Sequence, residues 1–438
     1  MNHRRQLLLA GGAGLLSSAL PGCGGGDSSP DAQGADAMES PLAVTSNAAP
    51  LARVIVIGAG MAGTAVAKYL RLWGGNIEVT LIERNSTYTS NIMSSLVLTG
   101  QRTISSLRFG YTALRDRYGV KTIFDEVLAI DPVAVQVKLK SGATLTADRI
   151  VLAPGIEFDA VPGLSNPDAM PHAWKAGTQT TLLAQQLSAM PAGGTVVLTI
   201  PKTPYRCPPG PYERACLLAD WLKQRKPRSK LIVLDANPDF VTEKDNFGQA
   251  FFGLHASVIE YRTGVEILSV DPSSRTLQTT TAGTVRGDVV NLIPRQRAGG
   301  LVAATGLANA TEGRFAAVDV LSYASTLAPR VHVIGDSSAT TQPKAGHIAN
   351  QEAKVCADAL VRIFNGGQPD PAPVTNSACY STITMKQASW LIAVYQYDAL
   401  AKAMAPVANA SGASAGWNSD GFEEMNIWFK ALMGDTFA

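Results

Sequence analysis

The chain has 438 residues, and its 37 Lys and Arg against 35 Asp and Glu leave a net charge of +2. That near-balance excludes nucleic acid as the main partner. The length exceeds what one hydrophobic core usually serves, so two or three domains are expected, and 46% hydrophobic residues are ample for their cores.

The first element is "MNHRRQLLLAGGAGLLSSALPGCGGG", with a twin-arginine pair at Arg4 and Arg5 and an apolar run from Leu7 to Leu20. The run is too short to span a bilayer and fits the apolar region of an export signal. A twin-arginine signal exports folded proteins, which suits a protein that acquires a cofactor before reaching the periplasm. "LPGC", ending at Cys23, resembles a lipoprotein cleavage box with an unfavourable proline; lipidation of Cys23 would tether the protein to a membrane. Residues 24–50 are mostly Gly, Ser, Ala, Pro and Asp and read as a flexible linker. No later stretch has ~18 uninterrupted apolar residues, so no further span is expected. After export Cys207, Cys216, Cys356 and Cys379 remain, in a compartment where a disulfide can persist.

"LARVIVIGAGMAGTAVAKYLRLWGGNIEVTLIERN" reads as a βαβ unit. "VIVIG" is a buried parallel strand, Gly58, Gly60 and Gly63 form G-x-G-x-x-G, and a helical pattern follows. The glycines serve a tight turn, close approach of a pyrophosphate and close helix–strand packing. The next strand, "EVTLIE", ends in Glu83, placed to accept from a ribose hydroxyl. Two later stretches decide the nucleotide. "DRIVLAPGIEF", with Ala153 and Gly155, resembles the A-x-G motif where the chain leaves an FAD domain. "RVHVIGDSSA", with Gly335 and Asp336, resembles the second flavin motif, whose Asp contacts the ribityl chain. Together they imply FAD, with Arg84 and Val127 as further expected contacts.

The expected fold class is α/β: two Rossmann-like domains of the glutathione-reductase type, one inserted in the other, and a C-terminal interface domain. Residues 1–23 form the signal segment and 24–50 the linker. Residues 51–155 and 288–365 form the FAD domain, 156–287 the inserted domain, and 366–438 the C-terminal domain. The inserted domain's first strand, "GGTVVLTI", is followed by "PKTPYRCPPGPYERA" instead of a second glycine fingerprint. Pro201, Pro204, Pro208, Pro209 and Pro211 stiffen this turn and remove backbone donors that a pyrophosphate needs. A Rossmann-like shape without a nicotinamide site is expected.

"MPHAWKAGTQT", "YRCPPGPYERA", "VVNLIPRQRAG", "HVIGDSSATTQPKAGHIANQEAKV", "NSACYS" and "GDTFA" resemble the flavoprotein subunit of flavocytochrome c sulfide dehydrogenase, from about Leu51 to Ala438. The resemblance implies sulfide as substrate, a c-type cytochrome as partner and a redox disulfide over the flavin. The matching cysteines are Cys207 and Cys379, and the matching acid is Glu213, either a proton acceptor or a first-turn helix acid. Where family members attach flavin to a cysteine, this chain has Asn91, so non-covalent FAD is expected. Cys216 and Cys356 read as small buried apolar residues. Arg206 and Arg214 are candidates for stabilising anions near the disulfide, and Lys344 for adding charge at a helix N-terminus near the flavin. The histidines have no metal-ligand spacing and C-x-x-C-H is absent, so neither zinc nor haem is expected on this chain.

Hydrosulfide is a soft nucleophile and a disulfide sulfur a suitable electrophile. Attack on Cys207–Cys379 would leave a persulfide on one cysteine and a thiolate on the other, with reduced FAD and oxidised sulfur as the end point. Two rival readings are a sulfide:quinone reductase and a non-enzymatic flavoprotein that binds a sulfur-oxidation enzyme.

Overall fold

The computed structural model describes residues 49–438. The expected export signal and Cys23 lie outside the described residues. "ARVIVI" forms the strand Ala52–Ile57, buried at five of its six positions, as expected for a parallel strand covered on both faces. Its parallel neighbours are Ile77–Glu83 on one side and Arg149–Leu152 on the other. Lys121–Phe124 and Val331–Val333 extend this parallel core in either direction, inside an eight-stranded sheet. The first strand therefore sits where the strand order reverses, which in open α/β sheets opens a ligand crevice beyond the strand ends. The helix Met61–Gly74 leaves that point and packs on the helix Gly346–Phe364 through small residues such as Ala62 and Ala65.

The inserted domain has a four-stranded parallel sheet in the order Ile259–Arg262, Lys230–Asp235, Thr195–Ile200, Val289–Asn291. This corrects one boundary. Val289–Asn291 pairs with Thr195–Ile200, so the inserted domain runs past residue 287 and the FAD domain resumes after its last strand. A buried apolar strand reads the same in either domain, so the sequence pattern does not decide its sheet. The chain leaves and re-enters the FAD domain through an antiparallel ribbon, Ile156–Phe158 against Gln296–Ala298.

The C-terminal domain is a hairpin, Val374–Thr382 with Ala388–Asp398, a third strand Ala403–Pro406, and the helix Ser419–Phe437. Asn418 caps this helix, its side-chain oxygen accepting from the Gly421 N–H at 2.7 Å. Met425, Phe429, Leu432, Met433 and Phe437 join the core of the FAD domain. Phe437 stacks on Tyr88, ring centroids 5.0 Å apart, and on Phe109 at 5.3 Å.

Candidate active site

A cavity of about 540 Å³ opens at the C-terminal end of the first strand and runs between all three domains. Gly58 turns the chain with φ +93°, where a Cβ would lie 2.5 Å from the Ala153 carbonyl oxygen. Gly63 lies under the turn rather than on the cavity: a Cβ there would sit 1.7 Å from the Gly58 oxygen, so only glycine lets helix and strand approach so closely. Gly60 faces the cavity. At the end of the second strand, Glu83 accepts from the Ala59 N–H at 2.9 Å and from the Asn85 N–H at 3.0 Å, which fixes its carboxylate at the cavity edge. Arg84, Val127, Ala153, Gly155 and Asp336 also line it.

These residues fit FAD. Asp336 Oδ1 is buried and has no hydrogen-bond partner among the described residues, and burial raises its pKa. A buried carboxylate oxygen left without a donor is costly, and a ribityl hydroxyl would satisfy it. The N-terminus of the helix Gly346–Phe364 also opens onto the cavity through Ala345, Gly346 and His347, bringing its unpaired N–H groups and positive dipole end.

Lys344 is placed differently from its expected role. Its ammonium donates to the Ser338 carbonyl at 2.6 Å and lies 3.8 Å from the centre of the Phe315 ring, and it does not line the cavity. Burial lowers its pKa to about 8. Its charge still acts on Asp336 in the cavity lining, and its backbone carbonyl accepts from the Cys207 N–H at 2.6 Å.

Cys207 and Cys379 lie on the wall of this cavity, each half-buried, one brought by the inserted domain and one by the C-terminal hairpin. Both are free thiols here, and Cys379 is among the charges that act on Cys207. Cys207 has a positive φ of +59° and is separated by Pro208 and Pro209 from the helix Gly210–Arg225, with the Gly210 N–H donating to its carbonyl at 2.9 Å. Burial raises both thiols, Cys379 to about 12. Cys379 and Glu213 push Cys207 up while Arg206 pulls it down, and Glu243 and Glu213 push Cys379 up. Glu213 lines the cavity and accepts from the Thr382 hydroxyl at 3.0 Å; burial lifts its pKa to about 7. Cys216 and Cys356 are fully buried in two separate cores.

Asn91 lines the cavity with its side-chain oxygen accepting from the Ala176 N–H at 2.7 Å. Arg206 also lines the cavity, and its guanidinium donates to the Trp174 carbonyl. Arg214 is 1% exposed and donates to Asn291 Oδ1 and to the Ala173 carbonyl, both at 2.9 Å, and its guanidinium lies over Trp174. It fixes the wall behind Cys207. Sequence reasoning missed His347, whose Nδ1 accepts from the Ala378 N–H at 3.0 Å and ties the helix N-terminus to the strand carrying Cys379. Burial lowers its pKa to about 4, so it is neutral at pH 7.

Side chains pack closely at the end of the inserted domain's second strand. Asp235, at the end of the second strand, is buried and accepts from the Tyr212 and Tyr261 hydroxyls, each at 2.7 Å, and from Asn237 at 2.8 Å. Phe240 stacks on Tyr261, centroids 4.7 Å apart, with Phe247 and Phe251 beside it.

Three family models match consecutive parts of the chain. Residues 52–195 match the pyridine nucleotide-disulphide oxidoreductases. Residues 180–294 match the central part of the sulfide dehydrogenase (flavocytochrome c) flavoprotein chain, and 371–437 match the flavin-binding part of flavocytochrome c sulphide dehydrogenase. The chain belongs to the family of flavocytochrome c sulfide dehydrogenase flavoproteins. As a member it is a flavoprotein of the FAD-dependent oxidoreductase type, with FAD as its cofactor. Solved structures of similar fold include the sulfide:quinone oxidoreductase of Aquifex aeolicus, 17% identical, covering 88% of this chain and 92% of that one, with a TM-score of 0.73. Putidaredoxin reductase, in its covalent complex with putidaredoxin, is 18% identical over 78% of this chain and 81% of that one, with a TM-score of 0.61. An NAD-dependent persulfide reductase from A. fulgidus is 14% identical over 88% and 77%, with a TM-score of 0.58.

Proposed function

We propose that this sulfide dehydrogenase flavoprotein oxidises hydrosulfide at a Cys207–Cys379 redox couple and passes electrons through FAD to a c-type cytochrome. It does so in the periplasm, after export by the twin-arginine route signalled by Arg4 and Arg5. The observation that carries this reading is the meeting of two cysteines, distant in sequence, on one wall of the FAD cavity, with Glu213 beside them.

In the oxidised state HS⁻ attacks the Cys379 sulfur. A new S–S bond forms, giving a persulfide on Cys379. The Cys207–Cys379 bond breaks, and its electron pair leaves on Cys207 as a thiolate. The direction follows from the charges. Glu213 acts on both sulfurs, but Cys207 has Arg206 beside it and a helix N-terminus after it to stabilise an anion, whereas the charges acting on Cys379 are both carboxylates. Glu213, with a pKa of about 7, can take up or release a proton at the pair near neutral pH. Its Thr382 partner keeps it aimed. When bound, FAD supplies a two-electron acceptor able to release electrons singly to a haem. Gly58, Gly60, Glu83, Arg84, Val127, Ala153, Gly155 and Asp336 would hold it. It is held without a covalent bond, since Asn91 stands at the expected attachment point and Cys207 and Cys379 are the only cysteines lining the cavity among the described residues.

The test is an anaerobic titration of the isolated flavoprotein with sulfide, followed by addition of cytochrome c or a soluble quinone. Rapid flavin bleaching, reversed by cytochrome c, is expected. Reoxidation by quinone alone would make it a sulfide:quinone reductase. No bleaching, together with a stoichiometric complex with another sulfur-oxidation protein, would make it a binding protein.

A further inference from the structure

The turn that carries Asp336 is held by a buried carboxylate. Glu352, on the helix Gly346–Phe364, is 2% exposed and does not line the cavity. Its Oε2 accepts from the Gly335 N–H at 2.6 Å. The Ser338 hydroxyl, which donates to the Gly335 carbonyl at 2.8 Å, lies 3.3 Å from the same carboxylate oxygen. Oε1 accepts from the Thr340 hydroxyl at 3.4 Å. The ammonium of Lys344 acts on this carboxylate but rests on the Ser338 carbonyl, so the hydrogen-bond partners of Glu352 all lie within residues 335–340.

The same turn is tied to the cavity wall on its other side. Ser337 is buried, donates to the Gly155 carbonyl at 2.5 Å and accepts from the Gly299 N–H at 3.3 Å. Gly155, Gly299 and Asp336 all line the cavity, and Asp336 brings to it the buried Oδ1 that has no partner among the described residues. Gly335 sits where two helices meet: a Cβ there would lie 3.1 Å from the Ala62 side chain and 3.5 Å from that of Ala349. The helix that carries Glu352 also opens its N-terminus onto the cavity. One carboxylate thus joins two separate flavin contacts, the Asp336 turn and the helix N-terminus, into a single unit.

We propose that Glu352 is a positioning residue for the flavin: by holding the Gly335 N–H it sets where Asp336 stands against the ribityl chain, and so how long FAD stays bound. A carboxylate makes a shorter and stronger bond to an N–H than a neutral acceptor does, and a buried N–H left without an acceptor is costly. Without Glu352 the turn must shift to satisfy the Gly335 N–H, and Asp336, the next residue, moves with it. The inference rests on FAD as the cofactor and not on sulfide as the substrate.

The test follows FAD release from the loaded protein, measured as the rise of free-flavin fluorescence after dilution. Glu352→Ala should release FAD roughly tenfold faster or more. Glu352→Gln, whose amide oxygen can still accept from the Gly335 N–H, should release it nearly as slowly as the wild type. Glu352→Asp keeps the charge but draws the oxygens back by one methylene. It should behave as the alanine variant does, and it covers the case in which that variant does not accumulate. Cys356→Ser, one turn along the same helix and fully buried, measures general loosening: it should lower the melting temperature without speeding release. Wild-type rates in the alanine and aspartate variants, a glutamine variant as fast as alanine, or release that simply follows melting temperature across all four proteins overturns the proposal. If the Glu352 variants behave as expected but sulfide never bleaches the wild type, the positioning role stands and the sulfide reading falls.

Discussion

The Cys207 sulfur fills the space that a side chain at Gly210 would need: a Cβ there would lie 2.8 Å from Cys207 Sγ and 2.9 Å from the Trp174 ring. The first residue of the helix thus sets the position of the sulfur that precedes it. Gly210→Ala should push the sulfur off the helix axis, at a cost of about 1–3 kcal/mol from overpacking. Sulfide-dependent bleaching should slow while FAD stays bound. Unchanged bleaching and melting would mean that the sulfur has room to move.

The four cysteines should separate cleanly. Non-reducing peptide mapping of the oxidised protein should join Cys207 to Cys379 and find Cys216 and Cys356 free. Cys207→Ser and Cys379→Ser should each retain the fold and FAD and lose bleaching by sulfide. Cys216→Ser should keep it. A Cys379→Ser protein with normal sulfide turnover would overturn the mechanism.

Glu213 should leave a signature in stability. Its folded pKa of about 7 lies above an ordinary value of 4.5, because burial disfavours the charged form. The stabilisation is therefore complete below about pH 4.5 and is lost as pH rises through 7. Melting temperature relative to Glu213→Gln should fall over that window. Turnover is a poorer probe, since hydrosulfide itself ionises near neutrality. Parallel melting curves for the two proteins from pH 5 to pH 8 would show that the carboxyl is not perturbed.

Reduced nicotinamides should not serve as donors. The acid that would hold a ribose, Asp235, is already bonded to Tyr212, Tyr261 and Asn237. Stopped-flow mixing with NADH or NADPH should reduce the protein's flavin no faster than free FAD. Saturable, rapid reduction by either nucleotide would show that the aromatic plug opens.

Acid precipitation should release the flavin into the supernatant. Asn91 has an amide where attachment would need a thiol, and its oxygen is already bonded to the Ala176 N–H. Yellow colour retained in a washed pellet would mean a covalent link elsewhere.

The FAD half of the site was legible in the sequence because its chemistry is local. Gly58, Gly60, Gly63 and Glu83 lie within one βαβ unit, and Asp336 closes a strand of recognisable pattern. The cysteines were legible only through family resemblance, since no spacing links Cys207 to Cys379. For Lys344 the sequence did not say where the ammonium rests, because a helix N-terminal cation reads the same whether it faces a cavity or a carbonyl such as that of Ser338. His347 and Glu243 gave no signal at all: their partners, Ala378 for the first and Ser381 and Ser389 for the second, come from another domain. The edge at Val289–Asn291 was lost for the same reason, because an apolar run does not say which sheet it will join.

The packing around Asp235 also bears on nucleotide entry. Asp235, the two tyrosine hydroxyls and Asn237 form one connected set, and removing Asp235 would leave both hydroxyls without this acceptor, at about 1–3 kcal/mol for each that stays unmet. Removing the prolines one at a time restores no usable phosphate loop while Tyr212 and Phe240 fill the space. A dinucleotide could enter this domain only if the proline-rich turn and the aromatic cluster changed together, and no single substitution does both.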